Sequence, residues 1–157
     1  MISIRRAKTK DIKRIGELLR QVLEVHRSGR PDIFRAGTAK YTDDELSEII
    51  CDDSRPVFVA VDGGDTVLGY AFCAFVCHAG SNILTDIKTL YIDDLCVDEG
   101  LRGQHIGRAL YDFVLDFAKS SGCYNLTLNV WACNTSALRF YEKLGLTPQK
   151  IGMEKIL

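Results

Sequence analysis

Several features are scarce in this sequence, and each scarcity removes a class of function. No apolar run approaches the ~18 residues needed to span a bilayer. The amino terminus, Met1-Ile2-Ser3-Ile4-Arg5-Arg6, turns polar too soon for a signal peptide. A cytoplasmic protein with no membrane partner is therefore expected. Charge of one sign is also missing: 20 Lys and Arg face 21 Asp and Glu, a formal net charge of −1, with no basic block or acidic tail. That balance lacks the electrostatic footprint of a nucleic-acid binder. Prolines number three, and no repeat, low-complexity stretch or linker interrupts the chain. Residues 1–157 therefore read as one domain, large enough to bury a core.

The six cysteines (Cys51, Cys73, Cys77, Cys96, Cys123 and Cys133) include no C-x-x-C pair, and His26, His78 and His105 are scattered. A structural zinc site needs closer ligand spacing, so no metal is expected. The thiols read as reduced and packed like small hydrophobes. Two familiar phosphate loops are absent as well: neither G-x-x-x-x-G-K followed by Ser or Thr, nor G-x-G-x-x-G, occurs.

What is present is strong periodicity. Ile2 to Arg5 alternates as a short strand. Thr9 is placed to cap a helix with an apolar stripe through Ile12, Ile15, Leu19, Val22 and His26, ended by Gly29-Arg30-Pro31-Asp32. Thr42-Asp43-Asp44-Glu45 has the capping-box pattern ahead of a second helix. Val57–Val61 and Val67–Cys77 are apolar runs joined by the turn Asp62-Gly63-Gly64-Asp65, which makes a hairpin. Leu90–Val97 is the next strand and carries Asp93 and Asp94, which simple alternation turns to opposite faces unless a bulge intervenes.

A helix follows through Ile106, Leu110, Phe113, Val114 and Phe117, closed by Gly122; Leu126–Val130 then alternates as a strand. Asn134 caps a last helix, stopped by Gly145 and Pro148, and Lys150–Leu157 reads as a weak terminal strand. The order β-α-α-β-β-β-α-β-α-β opens antiparallel and ends on a crossover unit. It predicts a mixed α/β fold, a twisted sheet with helices on both faces.

The most informative segment is Leu95-Cys96-Val97-Asp98-Glu99-Gly100-Leu101-Arg102-Gly103-Gln104-His105-Ile106-Gly107-Arg108. It reads as a strand, a tight turn and a helix start near His105. Unpaired N–H groups and the positive end of the macrodipole suit a phosphate there, and Arg102 and Arg108 add positive charge. This segment resembles motif A of the GNAT acetyltransferases, in which Arg or Gln stands three residues before a glycine and five before a Gly or Ala. Arg102 and Gly107 fit the ends of that motif, and His105 replaces its first glycine. A positive φ is tolerable for histidine.

A second segment, Asn134-Thr135-Ser136-Ala137-Leu138-Arg139-Phe140-Tyr141-Glu142-Lys143-Leu144-Gly145-Leu146, is similar to GNAT motif B, N-x-x-A-x-x-F-Y-x-x-x-G-F, with Leu146 for the last aromatic. The resemblance implies a GNAT-type sheet of six or seven strands with about four helices. It also implies acetyl-CoA as acyl donor and direct transfer of its acetyl group to a primary amine of a small molecule or a peptide.

The site residues follow from that resemblance. The loop amides of Arg102, Gly103, Gln104, His105, Ile106, Gly107 and Arg108 would hold the pyrophosphate. The backbone of Leu95, Cys96 and Val97 would follow the pantetheine arm, and Asn134 and Tyr141 would touch coenzyme A. Chemistry adds two needs: an amine acceptor arrives protonated and must lose its proton, and the departing thiolate must gain one. The resemblance offers Asp93 as base, with Asp94 and a water-mediated route left open, and Tyr141 as acid. His26, Arg30, Asp32, Phe34, Arg35 and Tyr41 lie where the family builds its acceptor pocket. A homodimer fits the family, and the contrasting reading is a non-catalytic acyl-CoA sensor.

Overall fold

Near-continuous apolar runs at 57–61 and 67–77 dictate strands with two buried faces, and the chain arranges its helices to cover both. The computed structural model describes all 157 residues. The elements are β1 (Ser3–Arg6), α1 (Ile12–Gly29), α2 (Asp43–Ile50), β2 (Val57–Val61), β3 (Val67–Cys77), β4 (Lys88–Val97), α3 (Ile106–Ser120), β5 (Asn125–Leu128) and α4 (Thr135–Lys143). The sheet order is β1-β2-β3-β4-β5. The first four strands pair antiparallel; β4 and β5 are parallel, with α3 as the crossover.

Two cores result. On one face Val57, Val59, Tyr70 and Phe72 pack against Ile15, Leu18 and Leu19 of α1 and Leu46 of α2. On the other, Phe58, Ala60, Ala71 and Ile92 meet Leu110 and Val114 of α3. Each fully buried side chain of this size contributes roughly 1.5–3 kcal/mol. The capping box at α2 forms as expected: Thr42 Oγ1 accepts from Glu45 N–H, and the Glu45 carboxylate accepts from Thr42 N–H.

Three expectations need correction. Thr9 opens a short 3₁₀ turn instead of capping α1; the buried Asp11 ends that turn, accepting from Lys8 N–H and from the Arg5 guanidinium. Asp93 and Asp94 do not face opposite sides, because a bulge intervenes. The terminal strand over Lys150–Leu157 is not formed, so the sheet has five strands and not six or seven. Gly152, Lys150 and Lys155 are poor strand formers. The ion pair between Glu154 and Arg30 draws the segment toward the end of α1. Ile151, Met153 and Ile156 are left 77%, 88% and 73% exposed.

Candidate active site

The site is built by one irregularity in β4. Register to β3 shifts by a residue: Cys73 pairs with Ile92 and Phe72 with Asp94, so Asp93 is the extra residue of a β-bulge. Leu90 and Ile92 face α3 before the bulge, and Leu95 and Val97 face α3 after it. Both carboxylates are thereby left on the α1/α2 face. β5 pairs with β4 only from Thr89 to Ile92. Past the bulge the two strands part, and the outer edge of residues 93–97 has no neighbouring strand. The Asp98 N–H donates inward to Leu68 O at 2.9 Å. Amide direction alternates along a strand, so Leu95 and Val97 turn their N–H groups onto the open edge.

The acidic pair divides its partners. Asp93 accepts from the Tyr41 hydroxyl at 2.7 Å and is ion-paired with Lys40 at 2.9 Å. Asp94 accepts from the Tyr70 hydroxyl at 2.8 Å. Burial raises its pKa to about 6, against the opposing effect of the Tyr70 hydrogen bond. Tyr141, half-buried on α4, has its hydroxyl pKa raised by burial first and then by the negative charge of Asp94. The two groups therefore sense each other across the gap. Burial pushes the Cys96 and Cys73 thiols up to about 12. All six cysteines are unpaired. A thiol with so high a pKa is a poor nucleophile at neutral pH.

At the end of the gap lies the glycine-bearing turn. His105 is the N-cap of α3 with φ 61° and ψ 12°, in the left-handed region where histidine is among the enriched side chains. Gly103 also has positive φ, 83°, with open space where a side chain would stand. These two residues aim exposed backbone at the helix start, a cradle suited to a pyrophosphate. Gly107 has a different place: a Cβ there would stand 3.4 Å from the Phe140 ring and 3.5 Å from Val97, ordinary contact distances, so this residue sits where α3, α4 and β4 meet. Arg108 is tied along its own helix to Asp112, whereas Arg102 is exposed beside the turn.

A family model described as the acetyltransferase (GNAT) family matches residues 17–146. The chain belongs to the GNAT family. Its enzyme class is N-acetyltransferase. The peptidyl-lysine N-acetyltransferase YjaB of Salmonella typhimurium is 29% identical over 147 residues, covering 92% of this chain and 83% of that one. The glucosamine 6-phosphate N-acetyltransferase of Arabidopsis thaliana is 37% identical over 68 residues; that match spans 43% of this chain and 44% of the relative. Among solved structures, a mutant of the BH1408 protein of Bacillus halodurans has a TM-score of 0.94 at 32% identity, covering 99% of both chains.

Within this GNAT domain the predicted residues sort by place. Asp93, Asp94, Leu95, Cys96 and Val97 lie on the half of β4 that has no outer neighbour, Tyr141 feels the charge of Asp94, and Arg102 to Gly107 form the turn and the first residues of α3. Asn134 caps α4, accepting from Ala137 N–H at 3.2 Å. The acceptor loop splits. His26 lies tilted against Phe34, and Phe34 meets Trp131 edge to face, with centroid distances of 5.2 and 5.1 Å. Arg30 binds Asp32 and Glu154, Arg35 is exposed, and Tyr41 reaches Asp93. Tyr41, Arg55, Phe72, Tyr91 and Asp93 line a cavity of about 210 Å³. Sequence reasoning missed Tyr70, Lys40 and Trp131. Only Trp131, the single tryptophan, three residues before the Asn134 cap, carried a signal.

Proposed function

We propose that this enzyme moves the acetyl group of acetyl-CoA to a primary amine by direct attack of the neutral amine on the thioester. The observation that carries the reading is the parting of β4 and β5 at the bulge. It leaves outward amides on β4 just past an acidic pair, with Tyr141 near enough to feel the charge of Asp94 and the start of α3 following in the chain. Bound acetyl-CoA supplies an acetyl group activated as a thioester. The fit rests on this chain's own geometry: the outward Leu95 and Val97 amides on the unpaired edge of β4, the left-handed His105 at the start of α3 and the open space at Gly103.

The residues divide the work. Arg102 and the amides from Gly103 to Gly107 hold the pyrophosphate, and Leu95 and Val97 pair with the pantetheine arm and polarise the carbonyl. Asp93 holds the incoming ammonium. Asp94 takes its proton: with a pKa near 6 it is ionised at neutral pH yet a stronger base than an ordinary carboxylate. The base role expected of Asp93 is thus proposed for its neighbour. Tyr141 protonates the departing sulfur; its raised pKa keeps it a phenol until then. Inert Cys73 and Cys96 favour direct attack over an acyl-cysteine. The acceptor class, small-molecule amine or peptide lysine, follows what the relatives are named for, and a sensor would need neither Tyr141 nor the acidic pair.

The homodimer reading draws its support from the carboxyl-terminal segment, whose Ile151, Met153 and Ile156 lie exposed while the outer edge of β5 lacks a strand. The experiment that tests the function is an amine panel with acetyl-CoA and a free-thiol readout. Thiol release that depends on an amine is the expected result; acetyl-CoA binding without turnover on any amine would favour the sensor.

A further inference from the structure

Lys40 is the lysine whose ammonium lies on the acidic pair. Its Nζ stands 2.9 Å from Asp93 Oδ2, and its charge is felt by Asp94 and by His26. The backbone that carries it is pinned. The adjacent Tyr41 donates its hydroxyl to the same Asp93 oxygen at 2.7 Å and stacks on Phe72 with a centroid distance of 5.4 Å. Ala39 packs on the α1/α2 core. The side chains of Lys40 and Asp93 are 41% and 26% exposed. An ion pair this open adds only about 0–1 kcal/mol to stability, so the fold has little need of it. A primary amine is nonetheless held, by the chain itself, where the proposed reaction requires one.

We propose that Lys40 is a self-acetylation site, modified within its own chain when acetyl-CoA is bound. The inference rests on the reading of the acidic pair as the amine site. In the step, Lys40 Nζ loses a proton to Asp94 and forms a C–N bond to the acetyl carbon. The C–S bond breaks, the sulfur takes a proton from Tyr141, and the second proton leaving the amine nitrogen returns to the Tyr141 oxygen, so the amide keeps one N–H. The products are Nε-acetyl-Lys40 and coenzyme A, with no change of oxidation state. Acetylation removes the Lys40 charge and breaks its pair with Asp93. An external ammonium then meets both carboxylates without a competing cation.

The test is to incubate the whole chain with acetyl-CoA and no acceptor, following intact mass and mapped peptides, alongside thiol release with the best amine of the panel. One acetyl group per chain is expected, at Lys40, forming at least ~10-fold faster than at any other lysine because the amine is already positioned. Its rate should not change on dilution of the protein. Lys40→Arg should lose the adduct, and Asp94→Asn should form it ~10²-fold more slowly. Lys40 left unmodified while an added amine is acetylated overturns self-acetylation and leaves the proposed function standing. Acetylation spread evenly over the lysines, or as fast at Lys40 in Asp94→Asn, marks spontaneous chemistry and also overturns it. A rate that rises with protein concentration overturns the intramolecular route. Failure of both Lys40 and every added amine to accept acetyl contradicts the functional reading itself.

Discussion

The two halves of β4 differ in one respect that decides the rest. Residues 88–92 are paired to β3 throughout and to β5 from Thr89 onward, and they serve the core; residues 93–97 are paired on one side only. One inserted residue, Asp93, separates a structural half from a half with free amides and two carboxylates on the same face. A sheet edge inside a fold exposes donors that demand a partner. The comparison teaches that the site is a place where regular pairing is interrupted, with the core on either side kept intact.

Variants of the open half should affect chemistry far more than folding. Asp94→Asn is expected to lower kcat/KM by roughly 10²–10⁴-fold at neutral pH. The same change should raise stability. A carboxyl group whose folded pKa lies above its unfolded value favours folding when protonated, and this advantage fades as pH rises from near 4 to near 6. Asn removes that loss, so stability at pH 7 should rise by on the order of 1 kcal/mol, read as a higher melting temperature. Calorimetry with parallel kinetics checks both halves of the statement; a variant that lost stability and activity together would make Asp94 structural. Tyr141→Phe should cost roughly 10²-fold in kcat with unchanged coenzyme A affinity, when chemistry limits turnover. An unaltered kcat would return Tyr141 to packing.

Smaller effects sharpen the contrast at the two ends of the chain's second half. Arg102→Ala should weaken coenzyme A about 10-fold, the worth of one charge-assisted contact, measured by titration calorimetry. Met153→Asp should shift the chain from dimer to monomer on light scattering without loss of fold, since this side chain is exposed within one chain; a monomeric wild type would remove the dimer reading. His105→Gly should stabilise by roughly 0.5–1 kcal/mol in thermal melts, relieving the left-handed histidine.

Much of this was legible beforehand, for a physical reason. Helix caps and turns are local: Thr42 with Glu45, Asn134 with Ala137, and positive-φ glycines at 122 and 145 close α3 and α4 where the pattern ends. The loop from Arg102 to Gly107 was legible because its backbone conformation, including φ 61° at His105, is set by neighbouring residues. The acidic pair is legible, and of the two arrangements open to it, alternation or a bulge, the structure has the bulge. A signal existed: apolar residues fall at 90 and 92, then at 95 and 97, a slip of phase that only a bulge explains. Lys40 and Tyr70 stayed hidden because each meets its carboxylate across 53 and 24 positions of chain respectively. The terminal segment alternates weakly, yet alternation cannot supply the neighbour that a strand requires.

The central claim, that Asp94 at the bulge takes the proton of the amine, is tested most directly by kcat/KM against pH for wild type and Asp94→Asn with one good acceptor. The account predicts a wild-type limb rising through pH about 6, in addition to the limb from the amine itself, and its disappearance in Asp94→Asn with partial rescue at high pH. A limb near pH 6 that survives in Asp94→Asn, or a loss equal at every pH, would contradict it.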